Sequence, residues 1–181
     1  MKKVYVLVMV AIMTLGMSFK AQAIENPWNK GTLVANAHVG YYPGFGGNVA
    51  VDYVLVNNWW KGHFTVGGYV GFNGRSYDLY GGSTRYSYFN VMPRASYGLN
   101  ITKDFEVHAG VMMGVCIDHT KTTTVLPYVG SSVSEDWYTH CVYAPLFGGC
   151  RYFFTPNFGV SAEICYSNFA TYFNAGLTFK F

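Results

Sequence analysis

The sequence has few charged residues and, beyond its first segment, no long hydrophobic run. Charged residues make up 12 % of the chain, whereas an ordinary globular domain has about 25 %. After Ala23 no apolar run reaches the roughly 18 residues that a helical membrane span requires. The hydrophobic share of 51 % is too high for a disordered chain. These features exclude disorder and helical membrane insertion after Ala23, and leave a folded water-soluble domain or a membrane-spanning barrel.

Motifs for metal, redox or phosphate chemistry are also lacking. The four cysteines include no C-x-x-C spacing, which argues against redox catalysis and zinc binding. The glycine pairs, such as Gly67-Gly68, lack the Lys-Ser/Thr that completes a phosphate loop. We predict no catalytic site, no metal site and no cofactor. The five histidines show no H-x-x-x-H pair and are interpreted as ordinary lumen and rim residues: His38, His63, His108, His119 and His140.

The first residues have the three parts of a secretory signal peptide. Lys2-Lys3 is a cationic head, residues 4–17 are an apolar core, and Ala21-Gln22-Ala23 is an A-x-A cleavage site. The apolar core is shorter than a membrane anchor needs. We predict a signal peptide at residues 1–23 and one mature domain at residues 24–181.

The basic character of the chain comes from this signal peptide. The formal net charge is +3, and three lysines of the signal account for it: Lys2, Lys3 and Lys20. The mature chain is therefore neutral, and its charge gives no reason to expect nucleic-acid binding.

Beyond the signal, apolar residues alternate with polar or small ones in segments of about ten residues, which is typical of transmembrane barrels. We predict an all-β fold, an eight-stranded antiparallel up-and-down transmembrane β-barrel. Pro93 is expected to cost a ladder bond or to introduce a bulge. The polar stretches 73–84 and 118–138 are predicted as long loops. The predicted strands lie roughly at 31–42, 48–57, 62–72, 85–98, 105–117, 140–153 and 158–167, followed by the C-terminal strand.

The charges of the predicted strands gather on one face, and the opposite face is apolar. A soluble, lipocalin-like barrel would carry its charges outside, whereas a lysine or arginine facing lipid costs about 2 to 4 kcal/mol. We therefore orient the apolar face toward lipid. Three cations and three anions then meet in a narrow lumen, which favours a static polar plug over a gated water path. The predicted lumen network is Asp52, Arg94, Glu106, Arg151, Glu163 and Lys180.

Two stretches, MPRASYGLNITKDFEVHAGVMMGV and RYFFTPNFGVSAEICYSNFATYFNAGLTFKF, carry a family resemblance. Across its mature length the chain resembles the small eight-stranded outer-membrane β-barrels of the OmpA/OmpX type and the "porin family" barrels like them. In such families the closing segment is the signal that the barrel-assembly machinery reads during insertion. The resemblance implies this role for Phe173, Ala175, Leu177, Phe179 and Phe181.

We interpret the chain as an integral protein of the bacterial outer membrane, in contact with outer-membrane lipid and monomeric. Its expected role is structural or interaction-based, through extracellular loops that would bind a partner the sequence does not identify. A narrow passive channel with porin-like transport is the alternative.

A lipid A-modifying enzyme is the second alternative. Lipid A deacylases resemble the chain in size and carry a His-x-Ser-Asn stretch late in the barrel. Ser167 and Asn168 match this stretch, but Cys165 stands where the histidine should be. Without that base the serine hydroxyl is not activated, so we predict that the chain is not an enzyme.

Two of the cysteines form a candidate disulfide. Cys116 ends one predicted strand, Cys141 begins the next, and both are expected to point inward. An exported protein meets an oxidising environment, in which a bridge could close the base of the long loop between them. Cys150 and Cys165 are expected to lie on opposite faces and to stay free.

Overall fold

A computed structural model describes residues 28–41, 44–79, 82–125, 132–166 and 171–181 of the chain. The predicted signal peptide at residues 1–23 and its cleavage site lie outside the described residues. Within them, no helix is long and apolar enough to cross a membrane. The strands are β1 (Leu33–Tyr41), β2 (Phe45–Trp59), β3 (Gly62–Leu79), β4 (Gly82–Asn100), β5 (Phe105–Met112), β6 (Gly114–Val125), β7 (Ser132–Tyr143), β8 (Leu146–Thr155), β9 (Phe158–Tyr166) and β10 (Thr171–Lys180).

The described segments form one closed antiparallel sheet of eight strands. β5 and β6 both pair with β4, so together they form one interrupted strand. On their other side β5 pairs with β8 and β6 pairs with β7, so β7 and β8 also form one interrupted strand. β1 pairs with β10 and closes the barrel. The predicted fold class, an eight-stranded antiparallel up-and-down transmembrane β-barrel, is confirmed.

The side-chain alternation of each strand divides the barrel into a lipid face and a lumen face. On β1, His38 is buried and its neighbour Val39 is 72 % exposed. On β10, Thr178 is buried and Leu177 is exposed. The exposed side is apolar and the buried side is largely polar, which is the reverse of a water-soluble barrel and the arrangement that lipid requires.

The interruptions of the two long strands lie side by side in the sheet. Met113 separates β5 from β6, and Ala144-Pro145 separates β7 from β8. Pro93 lies opposite this joint on β4, where its missing N–H removes a ladder bond, as predicted. The carbonyls of Pro93 and Pro145 accept hydrogen bonds from the amides of Met113 and Met112. The pairing register is the same on both sides of the joint, so the strands continue without a shift.

The predicted loops 73–84 and 118–138 were wrong in extent, because most of their residues are strand. β3 continues to Leu79, and the second stretch lies largely in β6 and β7. These segments are rich in threonine and tyrosine, which favour strands although they are polar. They form a four-stranded extension beyond the barrel, which we call the protruding sheet: residues 75–79, 82–86, 120–125 and 132–137.

The opposite end of the barrel has short turns and holds both described chain ends. The turn between β2 and β3 has two residues, because Trp59 pairs with Gly62 across it. Its central residues Trp60 and Lys61 have φ angles of 49° and 67°. This is the backbone of a type I′ hairpin turn, in which Asn-Gly is the preferred pair.

Replacing Lys61 with glycine is expected to raise the free energy of unfolding by about 1 kcal/mol, because glycine adopts a positive φ without the Cβ penalty. Urea unfolding of the detergent-solubilised barrel, followed by tryptophan fluorescence, would measure this gain. Lys103→Gly is the matched control, since Lys103 lies in the turn between β4 and β5 and has no positive φ. Equal effects of the two substitutions would contradict the proposed strain.

Candidate functional site

The barrel interior contains a closed ring of six ionisable side chains. Arg94 contacts Glu163 through two hydrogen bonds of 3.2 and 2.9 Å, and its Nε lies 3.0 Å from Asp52 Oδ1. Arg151 donates to Asp52 Oδ2 at 2.7 Å and to Glu106 Oε1 at 3.0 Å. Asp52 therefore joins the two guanidinium groups, and the two glutamates end the chain of contacts.

His108 closes the ring between these two glutamates. Its Nε2 lies 3.1 Å from Glu163 Oε1, and its Nδ1 lies 3.6 Å from Glu106 Oε1. We call the resulting six-residue set the charged ring; its members come from β2, β4, β5, β8 and β9. Each is at most 4 % exposed. Removing either arginine would leave buried carboxylates with fewer cationic partners, which is costly in a low-dielectric interior.

The structure brings five of the six predicted lumen residues into this ring. Lys180 lies apart from the guanidiniums, with its Nζ 5.1 Å from the Trp28 ring centre and 4.8 Å from that of Phe153. The ring thus has three carboxylates and two guanidiniums, together with the imidazole of His108. The alternation located these side chains in the lumen but did not reveal His108 as the connecting member.

A second hydrogen-bond chain joins the strands at which the barrel closes. His38 contacts Asn48 at 3.1 Å and Ser161 at 2.6 Å. Asn48 donates to Asn174 Oδ1 at 3.0 Å. Because these residues come from β1, β2, β9 and β10, the chain supports the seam at which the first and last strands meet.

Two apolar layers enclose the charged ring along the barrel axis. Toward the protruding sheet lie Ala50, Tyr69, Met92, Met112, Phe147 and Cys165. Toward the short turns lie Trp28, Val34, Val54 and Phe153. The Phe147 ring also lies under the Arg94 guanidinium, with Cζ 4.1 Å from the ring centre. The lumen is therefore filled by side chains at three successive levels.

Trp28 is the member of this plug that the sequence did not reveal. It precedes β1, yet its side chain is only 1 % exposed. Its ring stacks on His63 with a centroid distance of 4.5 Å, and Nε1 donates to Asn100 Oδ1 at 2.9 Å. Because Trp28 lies before the first strand, it is not part of an alternating segment. The alternation of apolar and polar residues therefore could not predict that it lies in the lumen.

The remaining predicted residues lie on the barrel wall. Phe173, Leu177 and Phe179 of β10 are exposed on the outer face, and Ala175 shares that face with intermediate exposure. Phe181 pairs with Leu33 through two backbone hydrogen bonds. The last residue of the chain therefore belongs to the closing ladder. The proposed role of this segment in assembly stays a prediction, as does the absence of catalysis. Ser167 and Asn168 lie outside the described residues.

The cysteines occupy different environments. Cys116 and Cys141 are directly opposite each other on β6 and β7, and both are free thiols in this structure. Cys165 is buried in the apolar layer toward the protruding sheet, where Asn174 donates to its sulfur at 3.7 Å. Cys150 lies on the opposite face of the wall, next to Ala162 of β9.

In the part of the chain that the structure describes, the outer edge of β7 in the protruding sheet has no strand partner. Among the described residues β7 pairs only with β6, so its other edge is open along Ser132–Tyr143. The side chains that flank this edge are exposed and include Glu135, Asp136 and Trp137. An open edge presents unpaired N–H and C=O groups to which another extended chain can add.

A closed sheet with an apolar exterior and a charged interior defines the transmembrane β-barrel class. No protein-family model matches the chain, and no curated protein matches it in sequence. Solved structures match in fold. Ail, the attachment invasion locus protein of Yersinia pestis, is 14 % identical with a TM-score of 0.56, over 84 % of this chain and all of Ail. A de novo designed transmembrane β-barrel is 15 % identical with a TM-score of 0.51, over 85 % of this chain and 98 % of the design. The fold is thus that of the small eight-stranded barrels of the OmpA/OmpX type.

Proposed function

We propose that the chain is an integral outer-membrane protein whose barrel is a closed anchor and whose protruding sheet is an interaction surface outside the cell. The observation that carries this proposal is the open β7 edge, raised above the barrel on strands that continue out of the membrane wall. The long hairpins are assigned to the exterior and the short turns to the periplasm, as in outer-membrane barrels.

The filled lumen supports an anchor in preference to a pore. The charged ring crosses the barrel between two apolar layers, and its members are at most 4 % exposed. An eight-stranded barrel is just wide enough for side chains to fill its interior. Large, stable single-channel currents in a planar bilayer would favour the porin-like alternative instead.

The comparison with Ail supports both parts of the proposal. Ail is an outer-membrane protein of Yersinia pestis, and its name describes attachment and invasion. By analogy, the chain would act by binding a partner through its protruding sheet and would not catalyse a reaction. The partner that suits the β7 edge is an extended protein segment, and the carboxylates of Glu135 and Asp136 favour basic side chains in it.

The orientation can be tested by labelling with a membrane-impermeant maleimide on intact cells. We would replace the four cysteines by serine and add one cysteine at Ser134, on the protruding sheet, or at Lys103, in a short turn. Both sites are exposed. We expect labelling of Ser134→Cys in intact cells and of Lys103→Cys only after lysis. Labelling of Lys103→Cys alone would reverse the orientation, and recovery of the protein in the soluble periplasm would overturn the proposal.

The independence of anchor and surface can be tested by shortening the sheet. Ile117 and His140 are paired across β6 and β7, so an Asn-Gly turn could replace residues 118–139 and close a short hairpin. The variant is expected to keep the gel shift between boiled and unboiled samples that a folded barrel gives. Loss of that shift would show that the sheet is part of the anchor.

A further inference from the structure

Cys116 and Cys141 face each other at the base of the β6–β7 hairpin. They are register partners in an antiparallel ladder, three positions beyond the joint at Met113. Register partners point to the same side of a sheet, and the Cys141 thiol lies 3.9 Å from the Cys116 carbonyl oxygen. The two sulfurs therefore belong to one small volume on the lumen side of the wall.

This placement suits a covalent bridge. Directly opposite residues of antiparallel strands have Cα atoms about 4.5 to 5.5 Å apart, and disulfides span about 4.4 to 6.8 Å. No other two cysteines of the described residues are register partners. Cys150 lies opposite Val107 and Ala162, and Cys165 lies opposite Phe147 and Tyr172.

We propose that Cys116 and Cys141 form a disulfide when the protein is exported, by exchange with an oxidised thiol–disulfide oxidoreductase. This inference rests on the export that the proposed function includes, and it does not require the sheet to bind a partner. Export removes the chain from the reducing cytosol, where such bonds rarely persist.

The exposures of the two thiols give the order of the exchange. Cys141 is partly exposed and Cys116 is buried. The Cys141 thiolate attacks the disulfide of the oxidoreductase, forming a mixed disulfide and releasing one enzyme thiolate. The Cys116 thiolate then attacks Sγ of Cys141 and releases the second enzyme thiolate. Two thiols are oxidised, one enzyme disulfide is reduced to a dithiol, and the two protons pass to the enzyme thiolates.

The bridge would close the hairpin near the joint between the barrel and the protruding sheet. Just below it, Met113 and Ala144-Pro145 interrupt both strands. A cross-link at the third residue pair above this joint would keep β7 paired with β6 when a force acts on the outer edge of β7. It would also constrain the unfolded chain between the two cysteines.

The test counts thiols in protein taken from cell envelopes under acid quench and alkylated in denaturant without reductant. We expect two alkylated cysteines, Cys150 and Cys165, and four after reduction. Peptide mapping is expected to find Cys116 linked to Cys141, with a mass two hydrogens below that of the reduced pair. Expression without the periplasmic oxidoreductase should give four alkylated thiols before reduction.

Variants separate this bridge from other pairings. Cys116→Ser is expected to leave the other three cysteines alkylated without reductant, whereas Cys150→Ser should leave only Cys165 alkylated. Four free thiols in wild-type protein recovered from the outer membrane would overturn the disulfide and leave the proposed location intact. Recovery from the cytoplasm would overturn both. A bridge that includes Cys150 or Cys165 would also overturn the assignment, and wild-type mapping decides this even if a serine variant fails to fold.

Discussion

Arg94→Met is expected to lower the free energy of unfolding by about 3 to 5 kcal/mol, the usual cost of removing one partner from a buried ion pair. Methionine fills much of the same volume, so the loss reports charge and hydrogen bonds more than packing. Arg94 makes two hydrogen bonds to Glu163 and an ion pair with Asp52. Both carboxylates would lose a cation inside a filled lumen.

Urea unfolding in detergent micelles would measure this loss, with Lys103→Met as the control. Lys103 lies 3.9 Å from Asp104, but its side chain is 83 % exposed, and removal of such a pair costs no more than about 1 kcal/mol. The double variant Arg94→Met/Glu163→Leu is expected to lose less than the sum of its single variants, because it removes the unpaired carboxylate along with the guanidinium. A loss below 1 kcal/mol for Arg94→Met would show that the ring contributes little to stability.

Trp28→Ala is the second large change, with an expected loss of about 3 to 5 kcal/mol for a buried aromatic truncated to alanine. The indole fills the short-turn end of the lumen, in contact with His63 and Phe153. Trp28→Phe keeps an aromatic ring but removes the hydrogen bond to Asn100, so its loss should be nearer to 1 kcal/mol. Equal losses for the two variants would mean that the hydrogen bond, and not the filled volume, is what matters.

Trp28→Ala also tests which layer of the plug closes the lumen. Trp28→Ala opens only the lower apolar layer, while the charged ring and the upper layer around Met112 and Phe147 stay in place. We therefore expect no stable single-channel current from Trp28→Ala in planar bilayers. A large current would assign the closure of the lumen to Trp28 alone.

Alternation along the sequence was enough to predict the barrel and the orientation of its side chains. Side chains along a strand point alternately to opposite faces. Once the apolar residues from Phe173 to Phe181 are assigned to the lipid face, the residues between them must face the lumen. The partners within the charged ring could not be predicted in this way. Whether Arg94 contacts Glu163 depends on the register between strands and on where β4 and β9 lie around the barrel. The alternation within one strand predicts neither.

The extent of the protruding sheet was missed for a related reason. Outside the membrane both faces meet water, so a strand there needs no apolar alternation. Segments such as Thr120–Thr124 then look like loops, although threonine is a good strand residue. Trp28 was missed because it lies before the first strand. The joint was indicated by Pro93, and Pro145 carries the same signal of a missing backbone N–H. Met113 and Ala144 carry no signal that distinguishes them from continuous strand.

The unbroken register across this joint has a mechanical consequence. Force applied to the protruding sheet along its strands would pass directly into the wall of the barrel, since β6 and β7 continue in line with β5 and β8. Ladder hydrogen bonds lie across the strand direction, so such a pull would load many of them in shear together instead of opening them one after another. A partner bound to the protruding sheet, as proposed above, would therefore pull on the barrel in the direction in which the ladder resists best.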